Sequence, residues 1–204
     1  MPISADTPAM VIKGAIDTFV FNVFLADAIL DGRINPSSFR DQAKIDVGGH
    51  GLVFRRKFSR DDLQLFGNNN VLMALGTAAI ATDTAMDAVF PKANKPHGIT
   101  DLGAARAIMF QIRCAFAHDP LSPVWKPDVD RYKHHYRITV EVPLESGELQ
   151  PRTIEFHPPS LKGKHLSALD FGGLGGYMAL LQFCLEKVET DLRGNQKYVL
   201  QDEP

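Results

Sequence analysis

Apolar residues recur at helical spacing in four stretches of the chain. In the first, Ile12, Ile16, Phe19, Val20, Val23 and Leu30 share a face, the signature of an amphipathic helix. Thr7 and Pro8 supply a cap and a first-turn proline that needs no N–H partner. Asp31-Gly32 supplies the stop. A second, alanine-rich helix is predicted from about Asn70 to Phe90, capped by the Asn68–Asn70 cluster. Leu72, Leu75, Ala79, Met86 and Val89 form its stripe, and Pro91 and Pro96 flank the break that follows. A third helix begins at Thr100 or Asp101 and ends at His118. Asp119 precedes Pro120, and a residue in that position avoids the helical region. The last helix runs from about Gly176 to Leu192, with Leu181, Leu185, Val188 and Leu192 inward and Glu186, Glu189 and Arg193 outward.

Two connections differ in character. Residues 33–60 read as a loop, with Pro36, Ser37, Ser38 and the run Gly48-Gly49-His50-Gly51, and one short strand over Leu52–Phe54. Further on, Tyr136–Val142 alternates polar and apolar positions, the pattern of a half-buried strand. Thr153–Phe156 is its expected partner, with Ser146-Gly147 in the turn. The fold class that follows is mainly α: a four- to five-helix bundle with a β-hairpin inserted at about 130–160, forming one domain of 204 residues.

With 45% apolar and 23% charged residues the chain can bury a real core. Its formal net charge of -2 argues against a protein that coats nucleic acid non-specifically. Arg55, Arg56, Lys57 and Arg60 make the only dense basic cluster, either a solvated face or a phosphate-contacting patch. Cys114 and Cys184 lie in helix-like segments with no C-x-x-C spacing, as expected of buried thiols in a reducing compartment. The start Met-Pro-Ile-Ser-Ala-Asp lacks the basic residues of a secretion signal. The apolar run from Met10 to Leu30 is broken by Lys13, Asp17, Asn22 and Asp27, the mark of a buried helix rather than a membrane span. A cytoplasmic location is therefore expected.

The third helix carries the candidate chemistry. A step of about 100° per residue puts Ala105, Ile108, Ile112, Ala115 and Phe116 on one apolar face. Ala107, Phe110, Cys114 and Ala117 form a second face, which suits the centre of a bundle or a subunit contact. Arg106 and Arg113 share one seam between these faces, and Gln111 and His118 share the other. Arg113 can hold a phosphate by a forked pair of hydrogen bonds, and His118 can exchange a proton near neutral pH. Together they could run phosphodiester chemistry without metal. They stand about 140° apart on an ideal helix. A joint site needs Arg113 to wrap round, the last turn to unwind, or a second chain to supply one of the pair, which points to a homodimer. The plainer reading is an imidazole favoured by the helix C-terminus and an arginine paired with a carboxylate such as Asp119.

The segment Ile112-Arg113-Cys114-Ala115-Phe116-Ala117-His118 resembles the signature of the HEPN superfamily, Arg followed after four to six residues by His. The following Asp119-Pro120 and the downstream Trp125 sharpen the likeness to bacterial members with an Arg-Asn-x-Phe-Ala-His core. The resemblance implies a dimeric helical bundle acting as a metal-independent ribonuclease in toxin–antitoxin, phage-defence or RNA-processing systems. It implies Arg113 and His118 as catalytic residues, and RNA and an antitoxin or other protein as partners. Cys114, Asp119, Arg106, Arg55, Arg56 and Lys57 are the expected substrate contacts, with no metal, no cofactor and no membrane. Two positions depart from the pattern. Cys114 stands where the family usually has a polar residue, often Asn, which favours a non-catalytic module that binds a partner protein or a nucleotide. Pro120 stands where some members carry a tyrosine that a partner enzyme modifies.

Other constellations are weaker. Gly172-Gly173-Leu174-Gly175-Gly176 lacks the third glycine of a dinucleotide fingerprint, because Met178 occupies that place. Close packing or a helix start explains it better. His134, His135 and His157 have no carboxylate or cysteine at matching spacing for a metal. Trp125, after Pro120 and Pro123, is expected to pin its loop onto the bundle.

Overall fold

A computed structural model of the chain describes residues 7–48, 50–90, 99–143 and 146–199. It is mainly helical. Four long helices, α1 (Thr7–Leu30), α2 (Arg60–Val89), α3 (Asp101–His118) and α5 (Gly173–Val199), enclose the core, and α4 (Pro158–Leu161) is a single turn. Two antiparallel hairpins accompany them, β1 (Gln42–Val47) with β2 (His50–Arg55) and β3 (Tyr136–Pro143) with β4 (Leu149–Phe156). Pro91, Pro96, Gly49 and the first six residues lie outside the described residues, as does the side chain of Arg193.

Three predicted boundaries shift. The second helix starts at Arg60 rather than near Asn70. Ser59 caps it: its hydroxyl accepts from the Asp62 amide at 3.1 Å, and the Asp62 carboxylate accepts from the Ser59 amide at 2.9 Å. This reciprocal box satisfies two amides that the first turn leaves open. The Asn68–Asn70 cluster is therefore helix interior, carried along because Leu63 and Gly67 are buried on the same element. Residues 42–55 form a full hairpin instead of a loop with one short strand. The last helix begins at Gly173, where Gly172 and Gly173 both take positive φ, a turn that side-chain-bearing residues resist.

α1 and α2 run antiparallel. Gly67 lies against Ala26 and Ile29 near the end of α1, while Leu75 is joined to Phe19 in the middle of α1 through Tyr177. The Tyr177 hydroxyl donates to the Leu75 carbonyl at 2.7 Å, and its ring meets Phe19 edge-on at 5.2 Å. α1 lies at the rim of the bundle, so less of it is buried than its apolar sequence suggests. Ala9, Ile12, Phe19, Ala26, Ala28 and Ile29 face inward, while Met10, Phe21 and Phe24 face solvent. By length and composition α1 is the one described helix apolar enough to cross a membrane, with 28% of that window buried. Lys13 ties it to Glu189 of α5 at 2.7 Å.

α3 runs through the centre, and both of its apolar faces are buried mainly within the same chain. Ala105, Ile108, Ile112 and Ala115 are fully buried on the first face. On the second, Ala107 is fully buried and the Phe110 ring stacks on Tyr132 at 5.6 Å. Cys114 is half-buried and Ala117 is exposed. Within one chain this face is thus closed at Ala107, partly covered at Phe110 and Cys114, and open at Ala117. Trp125 pins its loop as the sequence suggests. It is 1% exposed, packs on Phe156 and donates its indole N–H to Asp170 at 2.7 Å.

α2 and α3 approach closely at Gly76 of α2, where a built Cβ would sit inside contact distance of the Phe116 ring of α3. Alanine gains helix propensity, about 1 kcal/mol over glycine, but forces the ring out of a packed core. Gly76→Ala is expected to lower the unfolding free energy by about 1–2 kcal/mol net, read as a lower urea midpoint at unchanged slope. A midpoint at or above that of the parent would show that Phe116 yields freely.

Candidate functional site

The site is organised by two acidic residues one turn apart on α2. Asp87 accepts from Arg106 at 3.0 Å, and Asp83 accepts from Nη1 of Arg113 at 2.5 Å. Gly76 meets Phe116, Asp83 meets Arg113 and Asp87 meets Arg106, so α2 and α3 are antiparallel and the two pairs fix their register. The carboxylate that pairs with Arg113 is Asp83, thirty residues upstream, and not the neighbouring Asp119.

The two arginines differ in access. The Arg106 and Asp87 side chains are 10% and 11% exposed, and the Arg106 guanidinium lies 5.9 Å from the centre of the Phe90 ring. Arg106, expected at the substrate, thus holds its charge largely inside the bundle against Asp87. The Arg113 side chain is 41% exposed although its Asp83 partner is 2% exposed. Asp83 holds the Arg113 guanidinium above its ordinary pKa, chiefly through their hydrogen bond. Arg113 borders a depression of about 300 Å³ together with Thr84, Asp87 and Ala88.

His118 closes α3 and is exposed. No hydrogen bond or ion pair joins it to Arg113 among the described residues, and it does not line the Arg113 depression. The five-residue step separates the two by about 7.5 Å along the axis, as well as by rotation. One chain therefore presents them on different sides of the last turns of α3 rather than converged. Asp119 is the C-cap, and its carboxylate accepts from the amides of Leu121 and Ser122 at 3.2 and 3.0 Å. It turns the chain away immediately after His118.

Cys114 lies half-buried between these groups and Tyr132. Burial, with Tyr136, Cys114 and Asp83 nearby, pushes the Tyr132 phenol well above its usual range. The Tyr132 and Tyr136 hydroxyls are buried without a hydrogen-bond partner among the described residues. Sequence reasoning missed this pair and missed both aspartates. Cys184 is fully buried, and its thiol is pushed up to about 12 by that burial.

The basic cluster lies at the other end of α2, on the first hairpin and its exit. Arg56 pairs with Asp62 at 3.2 Å and Lys57 with Asp41 at 3.5 Å, both pairs at the surface. Arg55 makes no ion pair among the described residues. His135 and His157 sit with ring centres 5.6 Å apart, and His135 lies 3.9 Å from Glu155. No group of three or more His, Cys, Asp or Glu residues stands at metal-binding spacing among the described residues. No family model, curated protein or solved structure matches the chain.

Arg106→Ala is expected to lower the unfolding free energy by about 3–5 kcal/mol, because it leaves the shielded Asp87 carboxylate without its guanidinium. Chemical denaturation measures this directly. A loss below 1 kcal/mol would mean that water reaches Asp87 readily.

Proposed function

We propose that the chain is a HEPN-type, metal-independent endoribonuclease that cuts RNA at a cleft between two copies of itself. The observation that carries this reading is the setting of Arg113. It is held from behind by buried Asp83, it opens onto a surface depression, and it shares the end of α3 with exposed His118. An arginine fixed in this way meets a phosphate with little loss of freedom.

In this mechanism Arg113 holds the scissile phosphate and stabilises the charge that develops on it. The 2′-hydroxyl oxygen attacks phosphorus and gives up its proton. The bond to the 5′-oxygen breaks, and that oxygen takes a proton. His118 is the general acid or base of these transfers. The products are a 2′,3′-cyclic phosphate and a 5′-hydroxyl, and the reaction requires no metal or cofactor. Arg55, Arg56 and Lys57 guide the RNA backbone toward the cleft.

The second copy docks along α2. Phe66, Met73 and Ile80 stand seven residues apart, each 40–49% exposed, and form one stripe on the helix. The stripe continues to Thr84 and Ala88, which border the Arg113 depression. Two chains packed along it about a twofold axis bring two Arg113–His118 sets to one cleft. The resemblance further implies a cytoplasmic toxin or phage-defence setting, with an antitoxin or other protein as partner. The second reading is a non-catalytic HEPN-like module that binds a partner protein or a nucleotide. It draws on Cys114 standing half-buried where the family often has Asn.

His118→Ala is expected to slow RNA cleavage by about 10²–10⁴-fold with the fold unchanged. Cleavage by the parent is expected to persist in EDTA and to fail on strands with 2′-deoxyribose at the scissile position. Gel assays with matched strands test all three points, and absence of any cleavage by the parent selects the binding module. Met73→Glu is expected to convert the dimer to a folded monomer and to reduce cleavage with it, since a C2 contact sets the two new charges close together. Light scattering that finds the parent monomeric at every concentration rules out the shared cleft.

A further inference from the structure

The first hairpin is an unusual element for a bundle of this size. Its strands pair with each other and make no substantial contact with the helices, and its described side chains are exposed. The register places Phe54 opposite Ala43 and Leu52 opposite Ile45. Alternation then puts these four on one face, with Lys44 and Arg55 on the reverse. The Arg56 amide donates to the Asp41 carbonyl at 3.1 Å, which carries the alternation one step past β2. Arg56 therefore follows Phe54 on the apolar face. Its guanidinium lies 5.2 Å from the centre of the Phe58 ring, which in turn meets the Phe39 ring at 5.1 Å.

At the base of the hairpin these rings border a cleft of about 1100 Å³, against about 300 Å³ for the depression at Arg113. Four cations, Arg40, Lys44, Arg55 and Arg56, line it. Asp41 is the one acidic residue there, and it is paired with Lys57. Arg40, Lys44 and Arg55 make no ion pair among the described residues. An uncharged apolar partner would cover the rings but strand these cations. An acidic peptide would answer the cations but leave the rings without a flat partner. A chain of alternating phosphates and planar bases answers both.

We propose that this cleft docks a single-stranded segment of nucleic acid. Its bases stack on Phe39, Phe54 and Phe58, and its phosphates run along the edge of the arm, between Arg56 on the ring face and Lys44 and Arg55 on the reverse, with Arg40 at the base. That the strand is RNA rests on the nuclease reading above; the docking itself does not. The hairpin is then a substrate-capturing arm, set apart from the groups that cut.

The test is fluorescence anisotropy with the full-length His118→Ala protein and labelled twelve-nucleotide oligo(U) and oligo(dT). Both strands bind, because stacking tolerates either sugar, and affinity falls as salt rises. Phe54→Ala weakens binding by about tenfold or more. Arg40→Glu with Arg55→Glu weakens it further and flattens the salt dependence, with circular dichroism and Tm unchanged because the arm stands clear of the core. Equal affinity in all these variants, no binding at all, or tighter binding of a duplex overturns the proposal. So does loss of the dimer on Phe54→Ala, which would make the arm a contact between chains. Strand binding lost in the arm variants, with no cleavage by the parent, sinks the nuclease reading and leaves the arm standing. Cleavage by the parent that arm variants match in affinity and rate does the reverse.

Discussion

Asp83 and Asp87 impose the constraint on which the rest of the bundle depends. Two carboxylates on one face of α2 must enter a mostly apolar interior, and each does so only with an arginine of α3 against it. Burying an unpaired carboxylate costs several kcal/mol, so a slip of α3 by one turn would strand at least one of them. Small buried residues of both helices lie around the two pairs, among them Ala104, Ala105 and Ala107 of α3 and Ala78, Ala79 and Ala85 of α2. Small side chains bring the helix backbones close, and that closeness in turn allows short aspartates to reach α3. Pairing and packing thus specify the same register.

The second hairpin closes the bundle by a different route. Tyr136, Ile138, Val140, Ile154 and Phe156 turn inward from β3 and β4, while Thr139, Thr153 and Arg137 stay in water. Trp125 then joins this sheet to the turn before α5 through Asp170, whose carboxylate also accepts from the Ser167 amide at 2.9 Å. One aspartate therefore organises both the turn that launches α5 and the loop that follows His118. The first hairpin has no such anchor.

The contrast between the hairpins explains what could be read in the sequence. Tyr136–Val142 announces itself because every second side chain is buried, and burial is what makes alternation visible. Ala43-Lys44-Ile45-Asp46 alternates as well, but glycines and charges surround it and no core selects its apolar face. The start of α2 was written in Ser59-Arg60-Asp61-Asp62, a cap followed three residues later by an acid that closes the box. The Asn68–Asn70 cluster outweighed that signal because asparagine is a strong cap wherever a helix does begin. The positions of Arg113 and His118 on their helix, and the angle between them, followed from spacing alone. Their surroundings did not. The partner of Arg113 lies 30 residues away and that of Arg106 19 residues away, and one sequence offers no rule that chooses among the chain's many carboxylates. The buried hydroxyls of Tyr132 and Tyr136 depend on how the loop before β3 and the start of that strand lie in the fold, which periodicity does not encode.

A guanidinium offers five N–H donors in a fixed plane. At Arg113 the bond to Asp83 uses Nη1, and a buried helix blocks approach from that side. The edge formed by Nε and Nη2 is left, two parallel donors pointing one way. An oxyanion arriving there has to lie in the plane of the fork, with a single orientation about its own axis. The aspartate behind the arginine therefore does more than keep it in place: it leaves a flexible, many-sided cation with one usable edge.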